Sequence, residues 1–277
     1  MHMVTLPNGD VVPALGQGTW MMAEQASQRS AEIAALQHGI DLGMTLLDTA
    51  EMYGEGLVEE LVGEALQGRR DEVYLVSKVY PWNASRQGTV EACERSLKRL
   101  RTDRLDLFLL HWRGEHPLAD TVAAMEQLQQ AGKIRAWGVS NLDTDDMEEL
   151  LAVPGGVGCQ TNQVLYNLSR RGIEFDLLPW SRARQIPIMA YSPIEQGQLN
   201  TQGVLSTLAT QHGVTPMQIA LAWVLHQPDV IAIPKAGRVA HVALNHAALS
   251  IRLSPQDLAA LDREFLPPTA KRPLESI

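Results

Sequence analysis

Four side chains carry the chemistry that can be read in this chain. Asp48 ends the apolar run Leu46-Leu47. Tyr53 comes five residues later and is followed by turn chemistry at Gly54 and Gly56. Lys78 closes the run YLVSK, and His111 closes LDLFLLH. A phenol with an ordinary pKa near 10 is a protonated but sluggish donor at neutral pH. An ammonium beside it stabilises the phenolate and lowers that pKa. Lys78 can supply the ammonium, and Asp48 can orient it and offset its charge. His111 can donate a hydrogen bond to an oxygen held opposite. The set suits protonation of a carbonyl oxygen while a hydride reaches the carbon. Taken singly, each residue has a plainer reading, as a helix cap, a solvated lysine or a structural histidine.

These residues act together only if one fold brings them to one rim. After an N-terminal hairpin (Val4–Leu6 and Val11-Val12 around Pro7-Asn8-Gly9-Asp10), a short apolar run followed by an amphipathic helix recurs. The predicted strands are 15–19, 45–48, 73–78, 105–111, 134–140, 159–164, 188–191 and 230–234. Their starts recur roughly every 25–32 residues, the last gap being wider. Helices are predicted over 31–42, over 89–100 with Thr89 as N-cap, over 217–225 behind Thr215-Pro216, and over 256–265 behind Ser254-Pro255. Eight such units favour one (β/α)8 barrel domain spanning 1–277 over an open doubly wound sheet. The only phosphate-loop lookalike, Gly16-Gln17-Gly18, lacks a third glycine. A short tail after Leu266 should cross one barrel end as extended coil. In such a barrel the strand C-termini form the active face. Asp48, Lys78, His111, Ser140-Asn141, Gln163 and Tyr191 all fall at or near predicted strand ends.

Composition bounds the rest. The chain has 277 residues, 45% apolar, with net charge −9, which disfavours a broad nucleic-acid or acidic-membrane surface. Cys93 and Cys159 read as reduced thiols, and no spacing suits a metal site. Neither a membrane-spanning run nor a signal-peptide layout is present, so a soluble cytoplasmic monomer is expected.

The stretches LLDTAEMYGEG, YLVSKV and LFLLHW resemble those carrying the tetrad of the aldo-keto reductases, which are NADP-dependent (β/α)8 barrels. The resemblance keeps the family's order over nearly the whole chain through Gly18-Thr19-Trp20, WGVSN (137–141), TNQV (161–164), AYSPI (190–194) and IPKAGR (233–238). It implies that Tyr53 is the proton donor, that Lys78 and Asp48 tune it, and that His111 orients the carbonyl. It further implies that Ser140, Asn141 and Gln163 hold the nicotinamide carboxamide and that Tyr191 stacks on the ring. Ser192, Ile194 and Gly197 would line the pyrophosphate. Gly18, Thr19 and Trp20, and Ile233, Lys235, Ala236, Gly237, Arg238, His241 and Asn245, would complete the cofactor seat.

Lys235 and Arg238 could take the adenosine 2′-phosphate, favouring NADPH, with NAD bound more weakly. The chain departs from the family here. Ala236 stands where many members have serine, His241 at a common arginine position and Leu244 at a frequent glutamate. GMTLLD departs too, lacking the bulkier and basic residues commoner after Gly43.

Trp20, Trp82 and Trp112 each follow a strand end and could wall an apolar substrate pocket with His111. Trp137, Trp180 and Trp223 read as structural. Arg113 and His116 could attract an anionic substrate, but read first as a solvated rim. Short loops suggest an open mouth for small or varied carbonyl substrates, and the resemblance, which extends to bacterial small-aldehyde reductases, implies 2-oxoaldehydes like methylglyoxal, aromatic aldehydes or diketo-sugar acids. The competing readings are a redox-sensing NADP-binding subunit with slow turnover, and a metal-dependent hydrolase or isomerase built on His111 and Asp48. The second would need more strand-end ligands than the chain offers.

Overall fold

The computed structural model describes residues 2–277. The chain opens with a hairpin in which β1 (Met3–Thr5) pairs antiparallel with β2 (Val11–Pro13). Gly9 takes φ +88° in the turn, a conformation cheap only for glycine. Val4, Leu6 and Val12 are buried in one cluster with Leu46, Leu107, Met189 and Ile231, so the hairpin plugs the bottom of the sheet that follows.

That sheet has eight parallel strands in chain order. They are β3 (Gln17–Gly18), β4 (Leu46–Asp48), β5 (Tyr74–Val79), β6 (Leu105–Leu110), β7 (Ile134–Ser140), β8 (Cys159–Leu165), β9 (Ile188–Tyr191) and β10 (Val230–Ala232). The seam is closed by backbone bonds. Gly16 N–H donates to Ala232 O (2.9 Å), Ala232 N–H to Ala14 O (2.8 Å) and Gly18 N–H to Pro234 O (3.2 Å). The architecture is therefore a barrel and not an open sheet. A Cβ on Gly18 would lie 2.6 Å from Ile233 O, so no side chain fits at the seam.

Side chains alternate with period two. On β6, Leu107 and Leu109 point into the barrel, while Phe108 and Leu110 pack under the helices. The same alternation on β5 turns Lys78 inward, two residues beyond inward Val76.

The helices are α1 (Arg29–Asp41), α2 (Leu57–Ala65), α3 (Arg86–Leu100), α4 (Leu118–Gln130), α5 (Thr144–Ala152), α6 (Leu177–Ala183), α7 (Val204–His212), α8 (Pro216–His226), α9 (Val239–Ala247) and α10 (Pro255–Glu264). Two of them, α7 and α8, lie between β9 and β10, which explains the wide last gap. Thr215 and Ser254 cap α8 and α10 in reciprocal capping boxes.

Several local expectations are corrected. Thr89 is buried inside α3, and Ser85 is the cap, accepting from Gly88 N–H. The first turn of α3 is polar, so apolar periodicity starts one turn late. Strand β5 runs one residue past Lys78, and β6 stops one short of His111. The seam strands are shorter than 15–19 and 230–234. Pro234, which has no N–H to donate, lies beyond β10.

Between β5 and α3, Glu59 of α2 is fully buried. It accepts from Ser77 Oγ (2.6 Å) and Arg99 Nε (2.6 Å). Glu59→Ala should lower stability by roughly 3 kcal/mol, because it leaves both donors unpaired. A fall in the urea midpoint at constant m would show it, and an unchanged midpoint would mean that water replaces the carboxylate at no cost. Cys93 and Cys159 are free and buried, with thiols pushed up to about 12 by burial.

Candidate active site

Three backbone bonds carry the ladder beyond the strand ends and fix the rim. Thr49 N–H donates to Val76 O (2.9 Å), His111 N–H to Val79 O (3.0 Å) and Asn141 N–H to Gln163 O (2.9 Å). Tyr53 begins a short turn, Tyr53–Gly56, that leads into α2. Glu51 ties this loop to the end of β5. Its carboxylate accepts from Tyr80 N–H (2.8 Å) and Asn83 Nδ2 (3.0 Å), and its own N–H donates to Lys78 O (3.3 Å).

The result is a fixed constellation. Lys78 is fully buried, and its ammonium has three hydrogen-bond partners. It donates to Asp48 Oδ2 (2.8 Å), Thr49 O (2.9 Å) and Tyr53 Oη (3.0 Å). Asp48 is held in turn, its Oδ1 accepting from Gln163 Nε2 (2.8 Å) and its backbone carbonyl from Thr19 Oγ1 (2.8 Å). An ammonium only donates, so the Tyr53 oxygen must accept. The phenolic hydrogen is left for the cavity that Tyr53 lines.

Burial pushes the Tyr53 pKa up, and it outweighs the opposing pull of the Lys78 ammonium, with the Asp48 charge adding to the rise. The lowering expected from lysine alone is thus overturned in the free protein. Lys78 is also raised. Burial works against its charge, and the attraction of Asp48 and Tyr53 prevails. His111 sits edge-on to Tyr53 at 5.8 Å and is pushed well below its ordinary value, by burial first and then by the Lys78 charge. Its buried Nδ1 has no hydrogen-bond partner.

The site therefore presents a phenol, an ammonium and a neutral imidazole at neutral pH. The phenol keeps its proton past about pH 10 and the imidazole stays neutral above about pH 6.5. Rates of a proton-donating reaction should then be flat between those limits. A pH profile of kcat/KM, which reports the free enzyme, falling with an apparent pKa near 8 would contradict this assignment.

These residues open onto a cavity of about 1050 Å³. Of the expected residues, it is lined by Gly18, Thr19, Trp20, Asp48, Tyr53, His111, Trp112, Ser140, Asn141, Gln163, Tyr191, Ser192, Ile194, Gly197, Ile233, Lys235, His241 and Asn245. Lys78 lies beneath the wall. Ala236, Gly237 and Arg238 fall outside the lining, as does Trp82, which is 63% exposed and stacks on Tyr80 (4.3 Å between ring centroids). Trp82 supports Trp112 from outside, with ring centroids 5.6 Å apart.

The sequence reading missed Tyr80 and Glu51, and it missed Met21, Met52 and Met217 on the cavity wall. It also missed Ser276 and Ile277. The tail reaches the cavity because Lys271 pairs with Asp176 (3.0 Å) and Glu275 with Arg170 (2.9 Å). Ion pairs between residues distant in the chain leave no mark in hydrophobic periodicity.

Tyr191 is half-buried and donates to Asn141 Oδ1 (2.9 Å), while Asn141 Nδ2 donates to His111 O and Ser140 Oγ (both 3.2 Å). Asn141 takes φ +56°, a left-handed turn that asparagine tolerates. A fixed aromatic face beside amide and hydroxyl groups suits a flat, amide-bearing ring. Past the barrel seam, where Lys235 bridges to Gly18, Lys235 and Arg238 are exposed, and neither forms an ion pair among the described residues. The donor set thus fits a nicotinamide dinucleotide with an anionic far end.

The model of the Aldo/keto reductase family matches residues 14–264. The chain belongs to the aldo/keto reductase family. Among this family's members, it is 55% identical over 276 residues to methylglyoxal reductase YeaE of Escherichia coli, covering 98% of this chain and 97% of that protein. It is 34% identical to glyoxal reductase of Bacillus subtilis, over 94% of this chain and 91% of that one. A solved aldo/keto reductase from Klebsiella pneumoniae, in complex with NADP and acetate, superposes with a TM-score of 0.97 at 52% identity, covering 99% of each chain. No helix of this aldo/keto reductase is long and apolar enough to cross a membrane, and no three His, Cys, Asp or Glu side chains converge as a metal seat, among the described residues.

Proposed function

We propose that this aldo/keto reductase reduces small aldehydes and 2-oxoaldehydes, methylglyoxal among them, to alcohols with NADPH. The observation that carries the reading is the Lys78–Tyr53 hydrogen bond of 3.0 Å, which commits the phenol oxygen as acceptor and turns its proton toward the cavity. The relatives named for methylglyoxal and glyoxal reduction, and the neighbour holding NADP, support the substrate and cofactor class.

Bound NADPH would supply the hydride. Ser140, Asn141 and Gln163 would hold its carboxamide, Tyr191 would pack on the nicotinamide, and Ser192, Ile194 and Gly197 would lie along the pyrophosphate. Lys235 and His241, with Arg238 just outside the wall, would face the 2′-phosphate, and Asn245 the adenine. Lacking that phosphate, NADH would bind more weakly.

Neutral His111, as the Nε2–H tautomer, would donate to the carbonyl oxygen and hold it near Tyr53. Tyr53 would give that oxygen its proton, and Lys78 would stabilise the phenolate left behind. Asp48 would keep Lys78 charged and in place. Trp20 and Trp112 would wall the substrate.

The test is NADPH oxidation followed with methylglyoxal and benzaldehyde, with NADH in parallel. Turnover of both aldehydes with NADPH, and a lower kcat/KM for NADH, is expected. Complete inactivity with both would overturn the reading.

A further inference from the structure

The cavity wall carries one cation next to the reacting centre, and that cation is already paired. Arg113 lines the cavity two residues beyond His111, and Trp112 between them packs on the His111 ring at 4.8 Å. The guanidinium donates through Nη1 to Asp146 Oδ1 (2.7 Å) and Glu149 Oε2 (2.7 Å), and through Nη2 to Glu149 Oε1 (2.8 Å). Both acids stand on α5, whose first turn follows the Ser140-Asn141 strand end. Asp146 also belongs to the capping box of that helix, whereas Glu149 makes no other hydrogen bond or ion pair among the described residues. Elsewhere on the wall, Asp48 is neutralised from below by Lys78, and Lys235 stands across the barrel seam from Gly18.

One guanidinium between two carboxylates carries a net negative charge. Its two parallel N–H bonds to Glu149 have the geometry in which arginine would otherwise grip a substrate carboxylate. We propose that Glu149, with Asp146, sets substrate specificity by occupying Arg113, so that the mouth admits uncharged carbonyl compounds and turns away aldehydes bearing a carboxylate. Glu149 acts through Arg113 and is a positioning residue. The inference rests on the reductase reading above and narrows its substrate class to neutral aldehydes and glyoxals. Rejection of the wrong substrate is built here from an occupied cation and a surplus acid, with no steric block.

Benzaldehyde and 4-carboxybenzaldehyde differ only in the distal carboxylate and suit the test. With NADPH, Glu149→Gln should raise kcat/KM for 4-carboxybenzaldehyde about ten-fold, through KM, and leave benzaldehyde within about two-fold. The gain should vanish in the Glu149→Gln/Arg113→Ala double variant. It should also shrink in roughly 0.5 M salt, where charges more than a few ångströms apart are screened. Parallel movement of both substrates, no change in either, or a gain that survives loss of Arg113 would overturn the proposal. A wild type inactive on methylglyoxal as well as on both aromatic aldehydes would instead bring down the reductase reading, and the inference with it.

Discussion

Tyr53→Phe should lower kcat for methylglyoxal reduction by about a thousand-fold, which is roughly 4 kcal/mol of barrier. The fixed pairing around the phenol leaves its acidic hydrogen for the cavity, because Lys78 donates into its oxygen at 3.0 Å. His111 does not replace it. Burial and the Lys78 charge hold the imidazole neutral, and a neutral imidazole orients an oxygen but gives up its proton far less readily. The phenyl ring keeps the shape of the wall, so NADPH affinity, read by protein fluorescence quenching, should stay within about two-fold. Retention of full activity by this variant would remove Tyr53 from the donor role.

Lys78→Met tests the charge beneath the phenol and should be damaging in two ways. Asp48 is 2% exposed, and the change leaves its carboxylate with the Gln163 amide as its remaining side-chain partner. Leaving a buried charge uncompensated costs about 3–5 kcal/mol, visible as a lower urea midpoint. Activity should fall at least a hundred-fold, because nothing then stabilises the phenolate. The double variant Asp48→Asn/Lys78→Met separates the two effects. It should recover most of the lost stability, since no unpaired charge remains, and none of the lost activity. Recovery of activity along with stability would mean that Lys78 matters only for folding.

The barrel was legible because its signal is local and repeated. Inward and outward residues alternate on strands such as β6, and Pro216 and Pro255 mark helix starts behind Thr215 and Ser254. The tetrad was legible because the C-terminal ends of parallel strands converge, so polar residues there end up at one rim. What stayed hidden depends on distant partners. Glu51 looks like one more loop acid until it is seen gripping Tyr80 and Asn83, and Glu59 like an exposed helical acid until Ser77 and Arg99 close over it. Arg113 reads as a solvated rim residue, and only the fold sets Glu149 against it. Trp82 misled for the opposite reason. It follows a strand end as Trp20 and Trp112 do, but its ring lies on the outer side of Tyr80. The direction of the Tyr53 shift could not be read either, since it depends on burial weighed against a neighbouring charge.

The most direct test follows one atom. The protein is mixed with methylglyoxal and NADPH that carries deuterium in the transferable position of the nicotinamide, and the product is read by NMR. Deuterium on the carbinol carbon is the result expected of a hydride delivered from NADPH to the carbonyl carbon beside Tyr53. A product without the label, or no product while NADPH binds, would contradict it.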